Sequence, residues 1–337
     1  MNLRLVEEIA NAVLYEGYIL YPYRASAVKN RQRWNFGALY PRAFAEAQTG
    51  SDAWNMQTEC LVRATSARCA VKIRVRFLHL IERTSKAALA WQEAAERDIA
   101  MNAIDLRDLT LRRRLHTFYF PASRQVDGHA HNGRQTPCAP ENDVIRTNEA
   151  AEGAVEVEAE HLGESLFKLR VRVFNTALFA GLGREAALMR SLASAHTILN
   201  VDDGEFISLT DPPDEFREAM ARCKNAGAWP VLVGEAGARD AMLASPIILY
   251  DYPQIAPESA GALFDGTEID EILTLRILTL TDEEKREMGQ VDARARQILE
   301  RTECMPPEQF MKMHGALRGL RRPGVEDAAN QWGPEMP

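Results

Sequence analysis

The sequence predicts an α+β fold: two β-rich, antiparallel, sandwich-like units followed by a helical C-terminal segment. Two stretches of alternation carry the β part, AVKIRVRF over residues 70–77 and EGAVEVEAEHLGESLFKLRVRVFNTA over 152–177, each with apolar side chains at every second position. The helical part rests on Thr281-Asp282-Glu283-Glu284, which has the form of a capping box. Strands and helices do not alternate regularly along the chain, which argues against a doubly wound sheet. The expected division is a β-rich domain with a leading helix over 1–121, a linker over 122–150 and a second β-rich domain over 151–265. A helical segment over 266–322 and a disordered tail over 323–337 complete it.

Leu3, Val6, Ile9, Ala10 and Val13 recur at helical spacing, and Glu16-Gly17 ends that helix. YILYPYR then reads as a strand up to Pro22, and residues 24–54 as a long irregular segment in which arginines alternate with aromatics. Two readings of that segment stand side by side. Arg31, Arg33, Trp34, Phe36 and Tyr40 form a partner-binding surface, or the arginines pack over aromatic faces and pair with the chain's own carboxylates.

A connection over Thr65 to Arg68 would make a hairpin with Val62 opposite Val71 and Glu59 opposite Arg74. Residues 86–110 have helix-favouring composition, HTFYFP is a short apolar run, and residues 122–150 lack periodicity. In 152–177, a loop at Gly163-Glu164-Ser165 pairs Leu162 with Leu166. The same register sets Glu160 opposite Lys168, Glu158 opposite Arg170 and Glu156 opposite Arg172. Such opposite-charge pairs contribute roughly 0.2–1 kcal/mol each. Val157, Ala159, Leu169, Val171 and Val173 fall on the other, core-facing side, and a one-residue slip would lose both patterns.

Residues 184–195 read as helix, HTILNVDDGEFISLTDPP as strand, Asp-Gly turn and strand, and DEFREAMARC as a short helix. WPVLVG and SPIILYDY complete the second β-rich unit. The segment 245–288 joins the β-rich part to the helical end, with a helix starting after Thr267. The Thr281 helix should run to about Glu300, and a last helix from Pro307 to Leu320.

The chain has 337 residues, with 40 Lys and Arg against 48 Asp and Glu, for a formal charge of -8. That balance argues against a general affinity for nucleic acid or anionic membrane, although Arg112, Arg113 and Arg114 form a local basic cluster. Five cysteines without a CxxC pair favour free thiols and a cytoplasmic setting. No window approaches the apolar length of a membrane span.

Three candidate chemistries follow. Asp251 and Glu258, with His196, would serve a carboxylate-based or metal-assisted hydrolase if they converge in a pocket. His129, His131 and Cys138 supply ligand types suited to zinc, copper or nickel, as in a metal carrier, or belong to a surface loop without metal. The remaining reading is a non-enzymatic protein-binding surface combining Arg31, Arg33, Trp34, Phe36 and Tyr40 with the acidic loop from Tyr252 to Asp265. No cofactor fingerprint is visible, so no cofactor is expected; a homo-oligomer is compatible with the composition.

YPYRASAVKNRQRWNFGALYPRAF, residues 21–44, and LASPIILYDYPQIAPESAGALFDGTEIDEILTLRILTLTDEEKREM, residues 243–288, resemble an uncharacterised bacterial family encoded in gene clusters of uptake-type nickel–iron hydrogenases, beside maturation genes. The resemblance spans most of the chain and carries no catalytic motif, so it transfers no active-site residue. It implies an accessory role in hydrogenase assembly, with a hydrogenase subunit or maturation factor as partner. Chaperoning or scaffolding fits better than metal insertion, because metal-delivery proteins of these systems usually carry His-rich or CxxC segments.

Overall fold

The computed structural model describes residues 3–31, 33–34, 36–50, 52–85, 88–127, 144–259, 261–264 and 269–314. Helix α1 (Leu3–Leu14) and short helices α2 (Val28–Arg31) and α3 (Arg42–Ala47) precede the strands. These are β1 (Asn55–Ala64), β2 (Ala70–Ser85), β3 (Ala88–Asp105), β4 (Arg114–Phe120), β5 (Ser123–Asp127) and β6 (Val144–Asn148), with α4 (Leu106–Leu111) after β3. There follow β7 (Ala151–Gly163), β8 (Leu166–Asn175), α5 (Arg184–Leu188), β9 (Ala193–Asp202), β10 (Gly204–Phe206), α6 (Arg217–Ala221), β11 (Trp229–Leu232) and β12 (Ala241–Ser245). Helices α7 (Asp270–Leu278), α8 (Asp282–Val291), α9 (Ala293–Glu303) and α10 (Pro307–Met313) close the chain.

The fold is α+β, with two antiparallel sheets packed as a sandwich and helices at the C-terminal end. One sheet runs β10-β1-β8-β7-β4; the other holds β11-β12-β9-β2-β6-β5, with β3 beside β2. Val71, Ile73, Val75 and Phe77 of β2 meet Val155, Val157, Leu169, Val171 and Val173 of β7 and β8 in one buried core. The inner faces carry the alternation legible in the sequence, because a strand buried on one side must place apolar groups at every second position.

The register of β7 with β8 pairs Glu156 with Arg172, Glu158 with Arg170 and Glu160 with Lys168, as the charge pattern predicts. Its turn differs by one residue: Gly163, not Leu162, lies opposite Leu166 across a shift after His161. The expected hairpin of β1 with β2 does not form. The two strands lie in different sheets, and Glu59 faces Arg170 of β8. The stretches 1–121 and 151–265, expected as two β-rich units, therefore share both sheets: β1 pairs with β8, and β2 with β9. Likewise β9 and β10, read as one hairpin, are divided between the sheets, β10 pairing with β1.

Residues 88–105 are a strand, where composition favours helix. The reason is tertiary: β3 pairs with β2 from Ser85↔Ala88 to Ala70↔Asp105, and a ladder of that length, interrupted by two register shifts, outweighs propensities worth tenths of a kcal/mol per residue. The other edge of β2 is shared, by β9 over Ala70–Leu78 and by β6 over Glu82–Thr84. The ends of the expected linker are thus strands, with Ser123↔Asn148 to Asp127↔Val144 in register.

Helix α1 forms where its spacing predicts and packs Val6, Ile9 and Val13 on Ile198, Val231 and Leu243. A further core joins residues 14–45 to the helical end, with Tyr18, Tyr23, Trp34, Leu80, Trp91, Ile277 and Ile298 all buried. The capping box at Thr281 is formed. Its helix stops at Asp292, whose side chain caps α9 through the Ala295 amide. Among the described residues no helix is long and apolar enough to cross a membrane.

Candidate functional site

The expected Arg31–Tyr40 binding surface is mostly core. Arg33, Trp34 and Tyr40 are buried, at 5%, 4% and 1% exposure. The Arg33 guanidinium donates to the Tyr18 carbonyl (Nη1, 2.6 Å) and the Gln92 carbonyl (Nη2, 2.7 Å) and stacks on Trp91 at 3.5 Å. Trp34 Nε1 donates to Gln92 Oε1 at 2.9 Å. Burial pushes the Arg33 guanidinium down to about 10, against support from Tyr18 and Asp292. This is the second sequence reading, in which arginines pack over the chain's own aromatics. Arg42 over Trp54 at 4.6 Å and Arg24 beside Glu284 at 3.1 Å repeat it. Phe36 alone of these aromatics is exposed, Arg31 closes α2, and Asp265 lies outside the described residues. Tyr252 is a strut: its amide donates to the Leu232 carbonyl and its hydroxyl to the Ala238 carbonyl, at 2.7 and 2.9 Å.

The acid–base candidates are bound into structure. Asp251 accepts from Ser208 Oγ (2.5 Å), Thr210 Oγ1 (2.8 Å) and the Leu232 amide (2.8 Å), tying the 208–210 loop to β11. His196 sits in β9 between β2 and β12 with 0% exposure, opposite Arg76. Burial pushes its imidazole down to about 4, only partly offset by the Ser194 carbonyl. A neutral ring with no access to solvent meets no substrate, which removes His196 from the residues expected to serve a hydrolase. Glu258 is half-buried and has a partner of its own. Among the described residues no group of three His, Cys, Asp or Glu could hold a metal ion. His129, His131 and Cys138 lie outside the described residues.

The structure instead presents an open groove of about 1190 Å³, where β9 leaves β2 and β6 begins. One wall is the connection between β8 and α5, Thr176 to Gly181; the other is α3 with Trp54. The floor is set by Asn175, whose Nδ2 donates to the Leu39 and Arg190 carbonyls at 2.8 Å each. Its Oδ1 accepts from the Ala177 amide, which turns the wall outward. Phe179 packs edge-on against Phe44. Leu178 and Leu182 project at 85% and 95% exposure.

Four of the five charged residues that line the groove form two ion pairs. Arg42 Nε pairs with Glu46 at 2.7 Å, and Arg190 Nη2 with Glu149 at 2.8 Å. Below it lies His79, fully buried: Arg97 donates to Nδ1 at 3.3 Å, so Nε2 carries the proton and donates to the Glu149 carbonyl at 2.7 Å. Burial lowers its pKa, and Arg97 adds to this against the opposing Glu149 carbonyl. Such a groove offers apolar side-chain contact and paired charges, and the described residues that line it include no serine or cysteine. The sequence signal for it was slight: NTALFAGLG places apolar residues beside glycines with no period, and only the clustering of Leu178, Phe179 and Leu182 marks them.

No protein-family model matches the chain, and no curated protein matches it in sequence.

Proposed function

We propose that this chain is a non-enzymatic accessory protein that receives an apolar segment of a partner protein in the groove between α3 and the Thr176–Gly181 wall. The groove itself carries this reading. Its volume, about 1190 Å³, exceeds the roughly 300–1,000 Å³ usual for small-ligand pockets, and it is open along one side. Exposed Leu178 in its wall, Leu182 just beyond that wall in the chain, and paired charges at its rim suit apolar anchors of a polypeptide. The resemblance of residues 21–44 and 243–288 to the hydrogenase-cluster family supplies the class of partner, a nickel–iron hydrogenase subunit or maturation factor. A cytoplasmic setting fits the free thiols of Cys60, Cys69, Cys223 and Cys304.

The test is affinity capture of the tagged full chain from hydrogenase-expressing cells, with the retained proteins identified and metal measured in the same eluate. A hydrogenase subunit or maturation factor should be retained by the parent chain and lost by the Leu178→Asp/Leu182→Asp variant at unchanged melting temperature. Retention unaffected by the variant overturns the groove. Stoichiometric metal that disappears on replacing His129, His131 and Cys138 would favour the metal-carrier reading instead.

A further inference from the structure

We infer that the outer edge of β4 takes up an extended, acidic segment of a partner protein as an added strand, at a surface separate from the groove. Strand β4 ends its sheet and pairs only with β7, from Arg114↔Val157 to Phe120↔Ala151 without a register shift. Among the described residues nothing pairs with its other edge.

Sheet edges of this kind are normally blunted, and the other edges of this sandwich are. Strand β10 has three residues, β5 has five with Arg124 among them, β11 carries Pro230, and β3 carries Glu93, Glu96, Arg97 and Asp98 and is bulged against β2. Strand β4 has no proline, no bulge and no fixed charge after its first residue. Its Leu115 and Tyr119 share one face at 62% exposure each, and Leu111 stands beside its start at 86%. A strand added here would gain main-chain hydrogen bonds from the ladder and apolar contact at alternate positions.

Charge selects the occupant. Arg112, Arg113 and Arg114 are exposed at the start of the strand, on a chain whose net charge is -8. Arg113 shares Glu156 with Arg172, and Arg114 lies 3.9 Å from Asp108, so the cluster keeps a positive surplus. Carboxylates on the incoming segment would complete it. A second copy of this chain is disfavoured by the same count. Residues 112–125 contain no Asp or Glu, and antiparallel self-pairing about Thr117 would turn Arg112 of one copy toward Ala122 and Arg124 of the other.

The test is fluorescence anisotropy of the full chain with a labelled short peptide alternating valine and glutamate, against the same peptide with lysine for glutamate and a single-stranded oligonucleotide. The glutamate peptide should bind, bind more weakly as salt rises, and lose about tenfold or more in affinity to Leu115→Glu/Tyr119→Glu and to Arg112→Glu/Arg114→Glu. Amide exchange on the unmodified chain should show residues 114–120 protected when the peptide is added, a readout that needs no variant to fold. Failure of the glutamate peptide to bind, equal affinity for the lysine peptide, or no protection of 114–120 overturns the proposal. So does self-association relieved by the Leu115 and Tyr119 changes, or displacement of the peptide by the oligonucleotide. The Leu178→Asp/Leu182→Asp chain should bind the peptide normally, which separates this edge from the groove.

Discussion

The guanidinium of Arg33 lies 3.5 Å from the ring centroid of Trp91, and both residues are about 95% or more buried. A cation is held there because two main-chain carbonyls and three aromatic faces replace its water. Replacing Arg33 with Ala leaves the carbonyls of Tyr18 and Gln92 without those donors and should cost about 2–5 kcal/mol in denaturant unfolding. Arg33→Lys should recover little, since one ammonium cannot reproduce the planar fork. Unchanged stability in Arg33→Ala would show that the cage does not hold residues 14–45 to β3.

His196 makes stability depend on pH. Its folded pKa is depressed to about 4, below the usual 6.5, so the unfolded chain binds a proton that the folded chain refuses between those values. Stability should therefore fall as pH drops from about 6.5 to about 4, by up to about 3 kcal/mol from this group alone. Thermal melts of His196→Gln should show a shallower slope across that window. An identical slope would mean that the ring is protonated in the fold.

Two ion pairs on the outer face of the β1-β8-β7 sheet should behave differently. Glu59 is 1% exposed and accepts from Arg170 Nε at 2.5 Å and the Lys224 amide at 2.8 Å. Glu59→Ala strands both donors and should cost about 3–5 kcal/mol. Glu160, paired with Lys168 at 2.6 Å, has a side chain 58% exposed, and Glu160→Ala should cost under about 1 kcal/mol. Equal losses in urea unfolding would contradict the burial that separates the two.

The two caps of the helical end are likewise unequal. Thr281 caps α8 at the surface, and Thr281→Ala should cost about 1 kcal/mol. Asp292 caps α9 and also accepts from Tyr18 Oη at 2.8 Å and Trp91 Nε1 at 3.1 Å. Its removal should cost about 3–5 kcal/mol, because buried donors lose their acceptor together with the cap. Calorimetry of Thr281→Ala and Asp292→Ala side by side decides this.

Gly153 stands where a Cβ would come 2.2 Å from Phe118 Cζ and 2.7 Å from the Phe174 carbonyl. Gly153→Ala should therefore lower stability by about 1–3 kcal/mol, from overpacking beneath β4. A melting temperature equal to the parent's would show that both the Phe118 ring and the β8 backbone at Phe174 can give way.

What the sequence by itself determined was local. Helix α1, the capping box at Thr281 and the pairing of Glu156, Glu158 and Glu160 with Arg172, Arg170 and Lys168 follow from spacings within a few turns of helix or one hairpin. Such patterns are legible because each interaction joins residues close in the chain, with a single register satisfying both faces. The tertiary structure decided what depends on distant partners. Glu59 could be matched with Arg74 or with Arg170 on charge alone, and the sandwich chose the partner 111 residues away. Residues 88–105 became strand because β2 was there to pair with them. Arg33 and Trp34 became core because Trp91 and Asp292 close over the segment from far along the chain, Tyr18 reaching Asp292 across 274 residues. The groove has the same origin: Asn175 shapes it by bonding to Leu39 and Arg190, neighbours that only the folded sheet brings together.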